Sequence, residues 1–473
     1  MRTFFPLLAL LATVSGCAAP DLGERPQPRS VSSLQSGNSL SGAPQGAWPV
    51  EGWWRGFGDP QLDALIEDGL ASSPDIAVAA ARVRAAEALA QQANSALLPR
   101  IGAEGSAGVV QQSKNLGIPP QFVPNGIQDT GHVAATFGFD LDLWGKNRAA
   151  LAAATSDAEA ARVDQAQARL VLTTAIAAAY ADLSGYFSAR DAVLRTSELR
   201  AESAGLTAQR VRAGLDNQGS ARAAESRVPA SEAEVTALDQ AIALTRNRIA
   251  ALIGSGPDRG LAIARPNLRL AEYVLPAQAG IDLVGRRPDI VAARLRVEAA
   301  AQRIKVAHAD FYPNINLSAL VGLQSLGLGK LISADSEYGN ASAAISLPIF
   351  DGGRIAGRYR GARAAYDEAV ARYDQTLIAA LREVADALAA RSALDKQLLQ
   401  LRSALVDADE ASRLAGLRYT AGLTTKLAQL TAEDNAAALR RSIAQVEGQR
   451  MVQEFAFIRA LGGGYQAPLQ GDR

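Results

Sequence analysis

The sequence predicts an α+β chain that is mostly α-helical and was built by duplicating one unit. Two segments of about 68 residues, 146–213 and 355–421, contain no proline and carry apolar residues at helical spacing. A stretch of alternating apolar and polar residues, typical of a strand with one apolar face, precedes each segment. Several motifs recur in the same order about 208 residues later, which indicates an internal duplication.

The first residues have the pattern of a bacterial export signal. Within residues 1–16, the basic residue Arg2 lies near the start, an apolar run follows over 4–14, and small residues end the segment. We therefore expect this segment to be removed when the protein leaves the cytoplasm.

A lipid anchor is expected directly after this signal. The motif V-S-G-C at residues 14–17 resembles a bacterial lipobox, which implies that Cys17 becomes the lipidated first residue. A plain signal peptide with an accidental cysteine is the alternative. Ala18 follows rather than aspartate, which by the same resemblance favours the outer membrane. Residues 17–58 are rich in Pro, Ser and Gly, and we expect them to form an extended tether.

The composition argues against several classes of function. The 48 basic and 48 acidic residues give a net charge of zero, so no general attraction to nucleic acid is expected. One cysteine and two histidines, His132 and His308, supply neither a disulfide framework nor a metal site, and no cofactor is expected. After the signal no run of 18 apolar residues occurs, so we expect any membrane crossing to use strands.

The first repeat is expected to span residues 59–254. Asp59-Pro60 and Ser73-Pro74 combine an N-cap residue with a first-turn proline, which predicts that two helices begin there. Two strands, a long helix and a return helix are expected at about 101–112, 133–144, 146–213 and 218–253. In the second strand, the apolar residues at alternate positions are Val133, Ala135, Phe137, Phe139, Leu141 and Leu143.

The second repeat is expected at residues 283–462, between an equatorial connector at 255–282 and a C-terminal tail at 463–473. The motif R-P-D-I at 287–290 matches S-P-D-I at 73–76. The corresponding strands, long helix and return helix are expected at about 315–324, 339–349, 355–421 and 424–461. Both long helices end on similar turns, R-V-R-A-G-L at 210–215 and R-Y-T-A-G-L at 418–423, where glycine supplies the left-handed C-cap.

The number of strands predicts an oligomer. Four strands per chain cannot close a membrane barrel, which needs at least about eight, and an open sheet edge cannot face lipid. Two copies would give eight strands and a filled interior, whereas three would give twelve strands and a lumen. The polar faces of these strands suit water, which favours a trimeric, 12-stranded β-barrel.

The long helices are expected to continue such a barrel as a hollow α-helical cylinder. A solid coiled-coil rod is the alternative, but it would need sustained Leu or Ile at the a and d positions. Ala-rich runs such as 149–154 and 175–179 supply too little volume for that.

The chain resembles the TolC-like outer-membrane efflux channels, in their NodT/OprM-type lipoprotein branch. The resemblance covers nearly the whole mature chain and rests on several stretches: the lipobox, 53–66, S-P-D-I at 73–76, D-L-D-L-W-G at 140–145, R-R-P-D-I at 286–290, P-I-F-D-G-G-R at 348–354 and 419–433. It implies a homotrimer that contacts outer-membrane lipid and conducts small molecules out of the periplasm. The implied partners are a periplasmic membrane-fusion adaptor and an inner-membrane RND pump. A type I secretion duct, a metal-efflux channel and, more remotely, a non-conducting structural lipoprotein are the alternatives.

The resemblance also implies functional residues at the two turns between the helices. The residues matching the adaptor-contacting periplasmic tips are Arg210, Arg212, Gly214, Leu215, Arg418, Thr420, Gly422 and Leu423. Some family members carry aspartates near the positions of Ala428 and Thr431, and this chain does not. The charges left as candidates for the channel constriction are Lys426, Glu433 and Asp434, with a solvated helix face as the alternative.

No catalytic residue is expected. The glycine-rich segments at 254–257 and 462–464 do not lie between a strand and a helix, as a phosphate-binding loop would. Asp140 and Asp142 are expected on one face of a strand, where they would add polarity to the lumen or rim without a second general acid.

Overall fold

The secondary structure follows the duplicated order along the chain. The computed structural model describes residues 19–34, 45–115, 117–276 and 279–467. The α-helices in this part of the chain are α1 (Pro60–Ser72), α2 (Pro74–Ser95), α3 (Lys146–Arg212), α4 (Gln218–Leu252), α5 (Pro257–Leu261), α6 (Ala279–Arg286), α7 (Pro288–Ala309), α8 (Arg354–Thr420) and α9 (Lys426–Ala460). The strands are β1 (Gln45–Gly46), β2 (Arg100–Val110), β3 (Gln128–Leu141), β4 (Leu275–Pro276), β5 (Asn314–Leu326) and β6 (Glu337–Ser346).

Four of these strands form one antiparallel sheet in the order β2-β3-β5-β6. Each repeat supplies one hairpin, and the central pairing of β3 with β5 joins the two hairpins. A second, two-stranded parallel sheet pairs β1 with β4. The fold is therefore mostly α with a smaller β part, as the sequence predicts.

The element bounds lie close to the expected ones, with the largest shifts in the strands. The second strand, expected at 133–144, starts five residues earlier at Gln128 and ends at Leu141. Asp142 therefore does not share a face of that strand with Asp140. Instead its carboxylate accepts hydrogen bonds from the backbone N–H groups of Asn147 and Arg148, both at 3.0 Å, and caps α3. The expectation for Asp142 was wrong because a helix-capping carboxylate directly after a strand preserves the same alternation.

The chain divides into two compact units. In its described part the first unit comprises residues 19–28, 83–115, 117–160 and 293–373 and contains the four-stranded sheet. The described part of the second comprises residues 29–34, 45–82, 161–276, 279–292 and 374–467 and contains both helix-to-helix turns.

An aromatic cluster organises the core of the second unit. Trp53, Phe57 and Phe455 pack together, with 4.7 Å between the ring centroids of Phe57 and Phe455. Beside them the Tyr180 hydroxyl donates to Asp59 at 2.8 Å, and burial raises the pKa of this phenol above its ordinary value. Asp59 also caps α1 by accepting from the backbone N–H of Gln61. The tether thus ends on the core of this unit.

Two glycines show the duplication at atomic detail. Gly254 ends the return helix of the first repeat with φ 75°, and Gly462 ends that of the second with φ 87°. A Cβ on Gly254 would overlap the carbonyl oxygen of Ser72, and one on Gly462 would overlap that of Arg286. In both repeats the end of the return helix therefore packs on the residue immediately before the X-Pro-Asp motif that starts a helix, at 73–75 in the first repeat and at 287–289 in the second.

Among the described residues, one helix, α3, is long and apolar enough by composition to cross a membrane. More than half of its apolar window, 56%, is buried within the chain. This helix also supplies Leu172, Ile176 and Tyr180 to the core of the second unit. Its composition is accounted for by packing.

Candidate functional site

The sheet of the first unit carries its apolar side chains on an exposed face. Ile101 is 80% exposed, Val321 68% and Ile345 71%. Soluble proteins bury such residues, because each buried aliphatic side chain contributes about 1.5–3 kcal/mol. A sheet that leaves them outside is suited to a hydrocarbon solvent.

The strand register makes this apolar face continuous. Residues directly opposite one another across the four strands include the row Ile101, Phe137, Ala319 and Ala341. The neighbouring row is Arg100, Gly138, Ser318 and Ser342, and it lies on the other face. There the hydroxyls of Ser318 and Ser342 are 2.9 Å apart. One face of the sheet is thus mostly apolar, and the opposite face carries mainly small and polar side chains.

Both edges of this sheet are open in the described chain. β2 pairs only with β3, and β6 pairs only with β5. Each edge presents unpaired backbone N–H and C=O groups, which cost several kcal/mol each in a hydrocarbon environment. The edges therefore need partners from outside the chain.

Asp351 shows how the sheet is joined to the second long helix. Its carboxylate accepts from the backbone N–H of Gly353 at 2.9 Å and of Ile355 at 2.8 Å, which caps the start of α8. Gly352 and Gly353 have φ values of 66° and 85°, a conformation that glycine adopts without strain. This geometry is that of a structural turn.

The N-terminal segment lies against α8 within the first unit. The guanidinium of Arg363 donates to the carbonyl oxygens of Gly23, at 3.1 Å, and of Glu24. The hydroxyl of Tyr366 donates to the carbonyl oxygen of Pro26 at 3.1 Å. Because the lower-numbered segment residues contact the lower-numbered helix residue, the segment runs toward the start of α8 as it approaches residue 19. Cys17 and the residues of the export signal lie outside the described residues.

The two predicted turns have the same backbone hydrogen bonds. The N–H of Leu215 donates to the carbonyl of Arg210 at 2.9 Å, and that of Leu423 donates to the carbonyl of Arg418 at 2.8 Å. Gly214 and Gly422, with φ 70° and 73°, make this left-handed closure possible. Arg212 is exposed beside the first glycine, as Thr420 is beside the second.

The three constriction candidates all form ion pairs with α3. The Nζ atom of Lys426 lies 3.6 Å from Glu202. Glu433 lies 3.6 Å from Arg195, and Asp434 lies 3.5 Å from Arg200. These contacts form a ladder of ion pairs between α3 and α9, and the role of its residues at a channel constriction stays a prediction.

A buried charge network in the second unit was missed by sequence reasoning. Arg450 is 2% exposed and Glu454 is fully buried, and their side chains are hydrogen bonded at 2.6 Å. Arg450 also donates to Asp395 at 2.7 Å, and Arg391 lies 3.4 Å from Glu454. Glu454 further accepts from the backbone N–H of Tyr273 at 2.8 Å, which ties the connector to the helices.

The pKa values in this network shift in opposite directions. Burial lowers the pKa of Arg391. Burial acts in the same sense on Arg450, but hydrogen bonds to Glu454 and Asp395 outweigh it and raise the pKa of that guanidinium. Arg450 and Glu454 at i,i+4 on a helix look like an ordinary surface pair in the sequence. Nothing local reveals their burial, because it depends on packing against α8 and the connector.

The described residues contain no group of three or more His, Cys, Asp and Glu side chains arranged to hold a metal ion.

A chain with an apolar-faced, open-edged sheet and two 67-residue helices belongs to the class of outer-membrane channel subunits with helical extensions.

Within that class, the chain belongs to the outer membrane efflux protein family, whose model matches residues 65–255 and 282–463. The chain is therefore an outer-membrane protein and supplies the exit duct of an efflux system.

Curated relatives and solved structures agree with this assignment. The chain is 38% identical over 373 residues to the fusaric acid resistance protein FusA of Burkholderia cepacia, covering 76% of this chain and 68% of FusA. It is 30% identical over 470 residues to the multidrug resistance outer membrane protein MdtP of Escherichia coli K12, covering 98% and 96%.

The fold is similar to that of the outer membrane protein VceC of Vibrio cholerae, with a TM-score of 0.82 and 37% identity over 89% of this chain and 100% of VceC. The outer-membrane channel OprN gives a TM-score of 0.83 and 29% identity over 95% and 99%.

Proposed function

We propose that three copies of this chain close a 12-stranded barrel in the outer membrane and continue it as a helical tunnel in the periplasm. The open edges of β2 and β6, beside a continuous apolar face, carry this proposal. Four strands are too few for a barrel, and eight would leave an interior filled by side chains. Twelve strands leave a lumen, which suits the Ser, Asn and Gly residues of the opposite face.

The stoichiometry of the complex in a lipid nanodisc tests this proposal. Native mass spectrometry is expected to show three copies. A folded single subunit in lipid would contradict the proposal. Conductance in planar bilayers separates the duct from a non-conducting spacer, which would give no current even after the turns are loosened.

The duct is proposed to work as a passive conduit, without a catalytic step, in a tripartite pump. Its partners would be a periplasmic adaptor, which contacts the turns at 210–215 and 418–423, and an inner-membrane pump of the RND type. The similarity over nearly the whole chain to MdtP, a multidrug resistance outer membrane protein, supports the efflux part of this proposal. Pull-down of the duct with an adaptor, lost when both turns are replaced by Gly-Ser linkers, would test it.

Small organic molecules are the proposed cargo. The relatives FusA and MdtP are named for resistance to fusaric acid and to multiple drugs. Deleting the gene is expected to raise sensitivity to such compounds. Unchanged sensitivity combined with lost protein secretion or lost metal tolerance would favour a type I secretion duct or a metal-efflux channel.

Cys17 is proposed to carry the lipid anchor. The contacts of Arg363 and Tyr366 with residues 23–26 support this proposal, because they direct the N-terminal segment toward the start of α8, which follows β6. Labelled palmitate is expected to enter the wild-type protein but not Cys17→Ala, which should still assemble. Absence of label in the wild type would refute the assignment.

A further inference from the structure

The two turns have the same backbone conformation but differ in how their charges are neutralised. In the first turn, Arg210 lies 3.4 Å from Asp216. The backbone N–H of Asn217, the Ser220 side chain and the nearby guanidinium lower the pKa of Asp216, so this carboxylate is ionised at neutral pH. The position equivalent to Asp216 in the second turn, 208 residues later, is Thr424, which carries no charge.

In the described part of the chain, each turn consequently displays one guanidinium without a neutralising carboxylate. Arg418 lacks the carboxylate that its counterpart Arg210 has. Arg212 is a second arginine in the first turn, where Asp216 already serves Arg210. Within the described residues, neither Arg212 nor Arg418 has an ion-pair or side-chain hydrogen-bond partner, and both are exposed. Lys426 is different, because it pairs with Glu202.

Each turn that carries an unpaired arginine also carries an exposed leucine. Leu215 is 70% exposed and Leu423 72%, each directly after the glycine that closes its turn. An arginine in the last turn complements the dipole of its helix, but this effect does not account for an exposed leucine in the same turn. The combination of the two is typical of a surface that a partner covers.

We propose that Arg212 with Leu215, and Arg418 with Leu423, form two docking points, one in each turn, for an adaptor surface that presents a carboxylate next to an apolar side chain. This inference rests on the proposed docking of an adaptor at the turns and adds the chemistry of recognition. A guanidinium binds a carboxylate through two parallel hydrogen bonds, which fixes orientation as well as charge. The leucine fills the apolar part of the same contact.

The internal duplication provides a direct experiment. Thr424→Asp gives the second turn the self-neutralising carboxylate of the first turn and leaves Arg418 in place. Arg418→Gln removes the guanidinium itself. The binding probe is the soluble periplasmic part of the adaptor recovered in the pull-down described above, measured against the full-length duct in nanodiscs.

Both variants are expected to weaken adaptor binding by about two- to fivefold, the range for one exposed ion pair. Arg212→Gln is expected to have a similar effect. Asp216→Asn, which releases Arg210, is expected to tighten binding. For the wild type, binding should weaken as NaCl rises from low to high concentration, and Arg212→Gln/Arg418→Gln should reduce that salt dependence.

Arg413→Gln is the matched control, because Arg413 is an exposed arginine of the same helix that Glu410 already neutralises at 2.7 Å. It should bind the adaptor like the wild type. If the wild type binds the adaptor and none of the substitutions in the turns changes that binding, the inference is overturned but adaptor docking is not. No wild-type binding would overturn docking itself. Arginine-dependent binding to anionic phospholipid vesicles, without adaptor binding, would also overturn the inference.

Discussion

The sheet of the first unit and the helical core of the second unit place their apolar residues in opposite ways. In the sheet, Ile101, Val321 and Ile345 point outward, and the face behind them is polar. In the helical core, Phe57 and Phe455 are fully buried, and most charges lie outside. One chain is thus adapted to two solvents. The spacing of apolar residues in the sequence, which follows the strand period or the helix period, indicates which side of each element is apolar.

The exceptions to this contrast are informative. The second unit buries Arg450 and Glu454 in spite of the cost of removing charges from water. The hydrogen bonds that Arg450 donates to Asp395 and Glu454, and the one that Glu454 accepts from the Tyr273 backbone, satisfy the buried atoms. We interpret the network as the element that holds the connector of the duplicated repeats in one position.

The largest expected effect breaks this network. Glu454→Ala leaves Arg450 and Arg391 without their shared carboxylate in the core, so the free energy of unfolding should fall by about 3–5 kcal/mol. Glu447→Ala is the control, because Glu447 lies on the same helix and pairs with Arg402 at 2.7 Å on the surface. That control should cost about 1 kcal/mol or less. Equilibrium denaturation in detergent micelles measures both, and equal losses would show that burial does not decide the effect.

The second prediction tests the outward face of the sheet. Val321→Arg places a charge on the apolar face, which should cost about 2–4 kcal/mol at mid-membrane and reduce insertion. The adjacent substitution, Leu320→Arg, makes a similar chemical change on the polar face, where Leu320 stands opposite Thr136 and Asn340. Leu320→Arg should therefore insert normally. Urea extraction of membranes distinguishes inserted from peripheral protein, and a reversed outcome would mean that the lipid-facing side is assigned wrongly.

The third prediction compares the two repeats. Gly254→Ala and Gly462→Ala each force a Cβ onto a left-handed residue and into a neighbouring carbonyl group. Each should destabilise the second unit by about 1–3 kcal/mol. Gly256→Ala serves as control, since Gly256 has φ −70° and a Cβ there would meet no atom within 4 Å. Thermal unfolding should separate the three variants, and a harmless change at only one repeat would show that the repeats have diverged in packing.

Local patterns predicted most of the fold. The long helices follow from proline-free helical spacing, and the turns follow from glycine after the last helical residue. The pairing of β3 with β5 was not predicted, because it joins the two repeats and no local pattern specifies which hairpin edges meet. The capping role of Asp142 was missed for a related reason, since alternation alone does not mark where a strand ends.

The sites divide in the same way. The turn residues could be found from sequence because both repeats carry the same motif. The partners of Lys426, Glu433 and Asp434 could not, because Glu202, Arg195 and Arg200 lie more than two hundred residues away in the chain. Long-range helix register has no signature in a single sequence.

The smallest expected effect on stability concerns this ladder of charges between α3 and α9. Its pairs are partly exposed, so Glu433→Gln should change the free energy of unfolding by only about 0.2–1 kcal/mol. Contacts this weak are suited to a closure that opens and closes, because an element that moves must belong to the low-stability part of the structure. We therefore expect Glu433→Gln to increase the single-channel conductance or open time in planar bilayers while the unfolding curve hardly moves. Glu447→Gln, which removes an exposed ion pair elsewhere on α9, should leave conductance unchanged. If both variants alter conductance equally, the ladder is ordinary surface charge, and the prediction that its residues form a constriction is wrong.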